Sequence, residues 1–408
     1  MSGCYPVSFS EPYILIPAGV IVGMGESVMW PVMMVYVVHF ARRFAKFGSK
    51  DTTVVITEFT GYFFCIFQIS QTLGNLLSYA ILYAGKTVAE GEGSNSSALA
   101  DLSICGVNDC QLPNTTNLNL NQYVPQSGTV LYVMIGVMAF LVLSSIGIMG
   151  VLVKKIDPSL EIQDKKGHIT SFCKTVSRTY EVLEIEQGNL NTETTFQYIR
   201  KSVTATFKHL IHPKQLLITP FALYSGLFMS FIFAEMPRAY ASCMLGVAQV
   251  GLCLALCYTC DAIVSYFCCK VTSKIGRVIP ITVVALIDIG NYIFLLFWIP
   301  TSSTTWLVYV IFAVFGCLDG VWNPQVNDIH GSHFPENQDM AFVVWNLWTL
   351  VGIAIQYGWS TSLCVNVKIY IQLGLLCFSL FCYSIAEYRI TQEKNRANKE
   401  KGTYYVSF

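Results

Sequence analysis

The sequence has little charge: Asp, Glu, Lys and Arg make up only 12% of its 408 residues, whereas soluble domains carry about 25%. Its net charge is zero, and the basic residues stand at the ends of apolar runs. A nucleic-acid partner is excluded, because binding a phosphate backbone needs a concentrated basic surface. The chain also lacks a G-x-S-x-G motif, an H-E-x-x-H motif and a phosphate-binding loop. We therefore expect no enzyme, no metal site and no cofactor.

Apolar residues are abundant, at 53% of the chain. Uncharged runs of about twenty residues match the roughly 30 Å hydrocarbon core that a membrane helix must cross. The sequence therefore predicts an all-α, polytopic membrane protein with about nine transmembrane helices. The predicted spans are residues 12–40, 58–85, 130–153, 215–235, 246–269, 278–299, 305–327, 340–362 and 368–387.

A long polar segment divides these spans into three before it and six after it. Two-bundle carriers have six helices in each half, so the first half is three helices short. The predicted domains are a partial N-terminal membrane bundle, a cytoplasmic linker, a six-helix C-terminal bundle and a cytoplasmic tail. They occupy residues 1–153, 154–214, 215–388 and 389–408.

Within the linker, apolar residues recur at helical spacing, with basic residues on the other side. This pattern predicts an amphipathic helix lying on the inner membrane face, although a solvated linker helix would give the same spacing. The apolar positions are Phe196, Ile199, Val203, Phe207 and Leu210.

Charge and sequons agree on the orientation. Basic residues follow the first span, which places the N-terminus outside and the C-terminal tail in the cytoplasm. The loop at 86–127 then lies outside, and it contains two glycosylation sequons, at Asn95 and Asn114. The plasma membrane is the favoured location, with an endomembrane as the alternative.

The same loop contains Cys105 and Cys110, with four residues between them in Cys-Gly-Val-Asn-Asp-Cys. In an oxidising compartment they could close a small disulfide ring, which we favour over free thiols. Cys243 and Cys364 stand at the outer ends of spans and could pair with each other. The pairing of these two, and of Cys4, is left open by the sequence.

Polar residues at membrane depth are the candidate site, because a polar group in hydrocarbon needs a partner. Each could form hydrogen bonds between helices, or could line a cavity and relay a proton, an ion or a substrate. The candidates are Glu26, Gln68, Gln71, Asn75, Glu235, Arg238, Asp261, Asp288 and Asp319.

Several motifs identify a family. They are CGVNDC in the outer loop, FQISQTLGN in the second span, AEMPRAYASCMLG after the fourth, CDAIVSYFCCKVTSKIGR in the fifth and DGVWNPQVND in the seventh. Together they closely resemble the uncoordinated-ninety-three family of the major facilitator superfamily, which is known for ion-channel regulatory proteins. The last motif adds Trp322, Gln325 and Asn327 to the candidates. Members of the family carry twelve spans, so we expect the first three to be absent from this chain.

The resemblance implies a non-enzymatic accessory subunit that regulates a potassium channel, with the lipid bilayer and channel subunits as partners. The superfamily fold implies the alternative, a secondary transporter of an unknown small solute. Alternating access needs two complete bundles, so three absent helices weigh against the transporter.

Overall fold

The computed structural model describes residues 12–48, 52–91, 102–110, 128–152, 200, 204, 206–334, 338–360 and 362–400. Within these ranges the long elements are all helices, and no strand occurs. In the order of the chain, nine long helices are α1 Pro12–Gly48, α2 Thr52–Gly91, α3 Gly128–Leu152, α4 Pro213–Leu245, α5 Val247–Ile275, α6 Val278–Phe297, α7 Leu307–His333, α8 Gln338–Gly358 and α9 Val365–Glu400.

Seven of these described helices, α3 to α9, are long and apolar enough to cross a membrane. The prediction of an all-α polytopic membrane protein is therefore confirmed. That α1 and α2 also cross, which would make nine spans, stays a prediction, as do the domain boundaries.

Helix α4 contains two wide π-type turns, Phe231–Glu235 and Pro237–Ser242. Proline has no N–H to donate and disturbs a regular helix at its position, so Pro237 gives these wide turns a local cause. Helix α5 ends at Ile275, and the next residue, Gly276, has a φ of +79° that suits glycine. The chain then turns directly into α6.

The main apolar core lies within the C-terminal helices. Helix α4 packs against α8 and α9, and α7 packs against α5 and α6. Large aromatic side chains are fully buried at the centre of this bundle, among them Phe221, Phe228, Phe231, Phe312 and Phe315. A separate small core of Ala41, Ala45 and Val55 joins α1 to α2.

Glycines allow the closest helix crossings. Gly316 of α7 lies against the Cys257 backbone of α5, and Gly226 of α4 lies against Thr349 and Gly352 of α8. Helices α2 and α5 meet most extensively of all the described pairs, with Gly251 of α5 against the backbone of α2. Because lipid supplies no hydrophobic drive for helix association, such close backbone contact contributes directly to holding the helices together.

The end of the predicted linker is described from residue 206 onward. Residues 206–210 are helical, Phe207 is exposed, and the His209 ring packs on Phe334 with 4.8 Å between ring centroids. The other apolar positions of the predicted amphipathic helix, Phe196, Ile199 and Val203, lie outside the described residues.

Candidate functional site

A hexapeptide of the loop after α2, Cys105 to Cys110, sits on one end of the C-terminal bundle; we call it the cap, and this end the disulfide end. Cys105 is bonded to Cys243 of α4, and Cys110 is bonded to Cys364, just before α9. The predicted Cys105–Cys110 ring is therefore wrong. Cys243 and Cys364, whose pairing the sequence left open, are each bonded to the cap and not to each other. Two bridges to separate helices hold the cap at both of its ends.

The cap fits closely against the bundle. Gly106 has a φ of +69°, and a Cβ atom there would lie 3.0 Å from the Tyr240 ring. Val107 is buried in the main core. The backbone N–H of Val365 donates to the carbonyl of Asp109 at 3.0 Å. The cap thus closes the disulfide end with backbone, side-chain and covalent contacts.

Beneath the cap, four ionisable side chains form one network. Glu235 lies 2.6 Å from Arg238 Nη2 and 2.6 Å from Lys368 Nζ, and Arg238 Nε lies 3.3 Å from Asp109 Oδ2. Lys368 and Arg238 both donate to the Ser360 carbonyl, at 2.8 and 3.1 Å. Two acids and two bases make the network neutral, which offsets the cost of burying each charge.

Two of the predicted candidates, Glu235 and Arg238, belong to this network. Their predicted relay role stays a prediction. Lys368 was not among the predicted residues, although its side chain is fully buried. Burial raises the pKa of the Asp109 carboxyl above its usual value, and the attraction of Arg238 only partly opposes this effect. The cap therefore carries a carboxyl group whose ionised form is disfavoured by its surroundings.

A second cluster surrounds Asp288 of α6 in the middle of the bundle. The Tyr224 hydroxyl of α4 donates to Asp288 Oδ2, and Trp322 Nε1 of α7 donates to the same oxygen at 3.2 Å. The other oxygen, Oδ1, is buried without a partner in the described part of the chain. Asp288 thus joins three helices through one oxygen.

Close to this cluster, Tyr292 of α6 donates to Gln372 Oε1 of α9 at 3.2 Å. Gln372 in turn donates to the Leu227 carbonyl of α4 at 3.1 Å. Both side chains are buried, and the sequence analysis did not single them out. Their only sequence signal is that each is a polar residue inside an apolar run.

The third cluster lies where α2, α5 and α7 meet. Gln68 Nε2 of α2 donates to Asp261 Oδ2 at 2.5 Å, and Ser265 donates to Asp261 Oδ1 at 2.8 Å. The carboxyl groups of Asp261 and Asp319 lie close to each other. Asp261 therefore connects α5 to α2 directly, with Asp319 of α7 beside it.

The remaining candidates are less closely engaged or lie elsewhere. Glu26 is exposed on α1. Asn75 donates to the Gln71 carbonyl one turn earlier, at 2.9 Å. Gln325 donates to Thr272 of α5 at 2.6 Å. The side chain of Asn327 and both sequons, Asn95 and Asn114, lie outside the described residues.

At the other end of the bundle, Arg277 contacts both carboxylate oxygens of Glu387, at 3.0 and 3.1 Å. Arg277 belongs to a motif that the sequence analysis quoted, whereas Glu387, the final residue of the last predicted span, was not among the candidates. The described residues contain no group of three or more His, Cys, Asp and Glu side chains placed to hold a metal ion.

The described helices form a bundle with buried polar clusters, and sequence comparison identifies its class. The family model for the Major Facilitator Superfamily matches residues 120–357, more than half of the chain. The chain belongs to this superfamily.

The unc-93 relatives align along most of the chain. "Protein unc-93 homolog A" of Xenopus laevis is 28% identical over 95% of this chain and 77% of its own length. The Homo sapiens protein of the same name is 27% identical over 93% of this chain and 75% of its own length. "Putative potassium channel regulatory protein unc-93" of Caenorhabditis elegans is 25% identical over 88% of this chain and 46% of its own length.

Proposed function

We propose that this chain is a non-enzymatic accessory subunit that regulates a potassium channel. The observation that carries the proposal is the alignment with the Caenorhabditis elegans relative, whose name describes a potassium channel regulatory protein. The proposal also includes a plasma-membrane location, with the cap and the N-terminus outside and the C-terminal tail in the cytoplasm.

The pattern of buried charge supports a role as a scaffold. At the disulfide end, Glu235 is shared between Arg238 and Lys368, so its charge is already matched within the bundle. The cap is bonded to two helices of this same bundle. A surface fixed in this way presents constant geometry to a partner, which lowers the entropy cost of association.

Co-expression with a panel of potassium channels tests the proposal. We expect at least one channel to co-purify with the chain and to change its current or surface density. Asp261→Asn and Asp319→Asn should alter that effect, whereas Gly290→Ala, at a position with nothing within 4 Å, is the matched control. Unchanged currents across the panel, with the wild-type chain at the cell surface, would contradict the proposal.

The Asp261–Asp319 pair favours a second candidate, a proton- or ion-coupled transporter. The pair joins α5 to α7 and takes a hydrogen bond from α2, so a change in its protonation would alter contacts among three helices. Reconstituted protein should then show saturable uptake of a small solute, and the Asn variants should abolish uptake while still reaching the membrane. Uptake of this kind, with no effect on any channel, would replace the first proposal by the second.

A further inference from the structure

The two disulfides of the cap differ in how accessible they are. Cys105 and Cys243 are both buried, with 0% and 3% of their surface exposed. Cys110 and Cys364 are both partly exposed, and Ser362, just before Cys364, is exposed. A thiol must reach a sulfur atom directly in order to exchange with a disulfide. The Cys110–Cys364 disulfide is therefore the one that a thiol from outside the protein reaches.

The position of Cys364 determines which sulfur leaves in such an exchange. Its carbonyl accepts the backbone N–H of Lys368 at 3.3 Å, so Cys364 is the residue that caps the start of α9. The N–H groups of the first helical turn stabilise negative charge, and a thiolate in such a position is a good leaving group. We therefore expect an incoming thiolate to attack Cys110 and to displace Cys364.

We propose that the Cys110–Cys364 disulfide is a site of reversible exchange with a dithiol oxidoreductase, and that the Cys105–Cys243 disulfide stays closed meanwhile. One thiolate of the partner attacks Cys110 Sγ, the disulfide breaks, and Cys364 leaves as a thiolate that takes up a proton. The second thiol of the partner then attacks the mixed disulfide and releases Cys110 as a thiol. Two electrons and two protons pass from the partner to the cap, and the partner becomes a disulfide. The reverse reaction closes the bridge again.

The exchange loosens one end of the cap and leaves the other end attached. Asp109 and Val365 are the chain neighbours of the two exchanging cysteines. The Val365 N–H donates to the Asp109 carbonyl at 3.0 Å, and Asp109 Oδ2 lies 3.3 Å from Arg238 Nε. Once the bridge is open, only these non-covalent contacts hold Asp109 in place. The bond of Cys105 and the burial of Val107 still hold the opposite end of the cap.

The bundle beneath the cap tolerates this opening. Glu235 keeps both of its basic partners, Arg238 and Lys368, because neither of these contacts passes through the cap. Movement of Asp109 into water therefore leaves no buried carboxylate without a partner. The exchange changes the surface at the disulfide end while the helices stay packed, and it rests on neither of the functions proposed above.

Timed reduction of the purified full chain tests the proposal. The chain is incubated with dithiothreitol, samples are alkylated at intervals, and the cysteines are identified by peptide mapping. We expect Cys110 and Cys364 to be alkylated at least about tenfold faster than Cys105 and Cys243, because exposure governs the access of the thiol. A thioredoxin-like oxidoreductase without its second cysteine should be trapped on Cys110 as a mixed disulfide.

Hydrogen exchange reports the loosening of the cap. After selective reduction, the Val365 amide should exchange faster than in the oxidised chain, because its acceptor on Asp109 is no longer held in place. Cys110→Ser with Cys364→Ser should show the same fast exchange in the absence of any reductant. Cys377→Ser removes an exposed free thiol from α9 and is the matched control, with unchanged exchange at Val365. If the double serine variant fails to fold, the timed reduction of the wild type still decides.

Equal rates of alkylation at all four cysteines would overturn the proposal. So would faster reduction of the Cys105–Cys243 disulfide, or resistance of both disulfides until the chain unfolds. A trapped oxidoreductase on Cys364, or unchanged exchange at Val365 after reduction, would also contradict it. None of these measurements includes a channel or a transported solute, so their outcome is independent of the proposed regulatory function.

Discussion

Replacement of Gly251 by alanine should specifically weaken the attachment of α2 to α5. A Cβ atom at this position would lie 2.6 Å from the Asn75 carbonyl oxygen and 2.9 Å from the Tyr79 backbone nitrogen. A carbon and a carbonyl oxygen normally approach to about 3.3 Å, so the helices must separate by about 0.7 Å along this line. The obstructing atoms belong to helix backbone and cannot rotate away.

The expected cost of this overpacking is about 1–3 kcal/mol. Alanine also has a higher helix propensity than glycine, by up to about 1 kcal/mol, which opposes the cost. Gly290→Ala gains the same propensity, and its Cβ meets nothing within 4 Å. The difference between the two variants therefore isolates the packing cost.

The assay is thermal melting of both variants in the same detergent, followed by size-exclusion chromatography of the surviving folded protein. Gly251→Ala should melt below the wild type, and Gly290→Ala at or above it. Equal melting temperatures for the two variants would refute the close crossing of α2 and α5 at this position.

Four further predictions concern the cap, its charge network and the topology. Peptide mapping of protein purified without reductant should recover Cys105 linked to Cys243 and Cys110 linked to Cys364; a linked Cys105–Cys110 peptide would contradict the structure. Lys368→Met should lower the free energy of unfolding by about 3–5 kcal/mol, because it leaves the buried Glu235 carboxylate with one positive partner fewer. Glu235→Gln in the same chain should recover part of this loss. Equal stability of the single and double variants would argue against the pairing of Lys368 with Glu235. Burial raises the pKa of Asp109, so the contribution of this residue to stability is present at acid pH and is lost as the pH rises through the raised pKa. Asp109→Asn should therefore flatten the dependence of the melting temperature on pH. An unchanged slope would count against Asp109 as the cause. Asn95→Gln with Asn114→Gln should abolish a glycosidase-sensitive gel shift, whereas a wild type with no shift in a glycosylating cell, and with a tag in this loop found in the cytosol, would reverse the proposed orientation.

The apolar runs predicted the positions of the helices well but not their ends. Helix α1 continues to Gly48 and α9 to Glu400, beyond the predicted limits of 40 and 387. Hydropathy marks the part of a helix that lies in hydrocarbon, whereas a helix ends only where its backbone hydrogen bonding stops. A polar stretch without a breaking residue can therefore extend a helix past its membrane portion.

The site was predicted in part. Asp261, Asp288 and Asp319 stood out because an acid at membrane depth is costly. Lys368 did not, because a lysine at the start of an apolar run was counted as the limit of the span. The partners of these residues are distant in the chain, as in Tyr224 with Asp288, 64 residues apart. Such pairs depend on helix packing, which a single sequence does not display.

The prediction of the disulfide partners was wrong for a related reason. Cys105 and Cys110 are neighbours in the chain, yet each has its bonded partner on the C-terminal bundle. The sequence predicted which cysteines lie on one side of the membrane. The choice of bonded pairs depends on where the cap packs. Val107 and Gly106 make their contacts with the bundle only once α4 and α9 have packed.

The disulfide bonds of the cap also constrain the order in which the cysteines of the chain can be oxidised. The partner of Cys105 follows it by 138 residues, and the partner of Cys110 follows by 254 residues. During translation the two cap thiols emerge together, long before Cys364 exists. Oxidation at that moment would join the nearest thiols, so native pairing requires that they stay reduced or be reshuffled by thiol–disulfide exchange. Closure of the second bridge is therefore a late event, because Cys364 is synthesised only after α1 to α8.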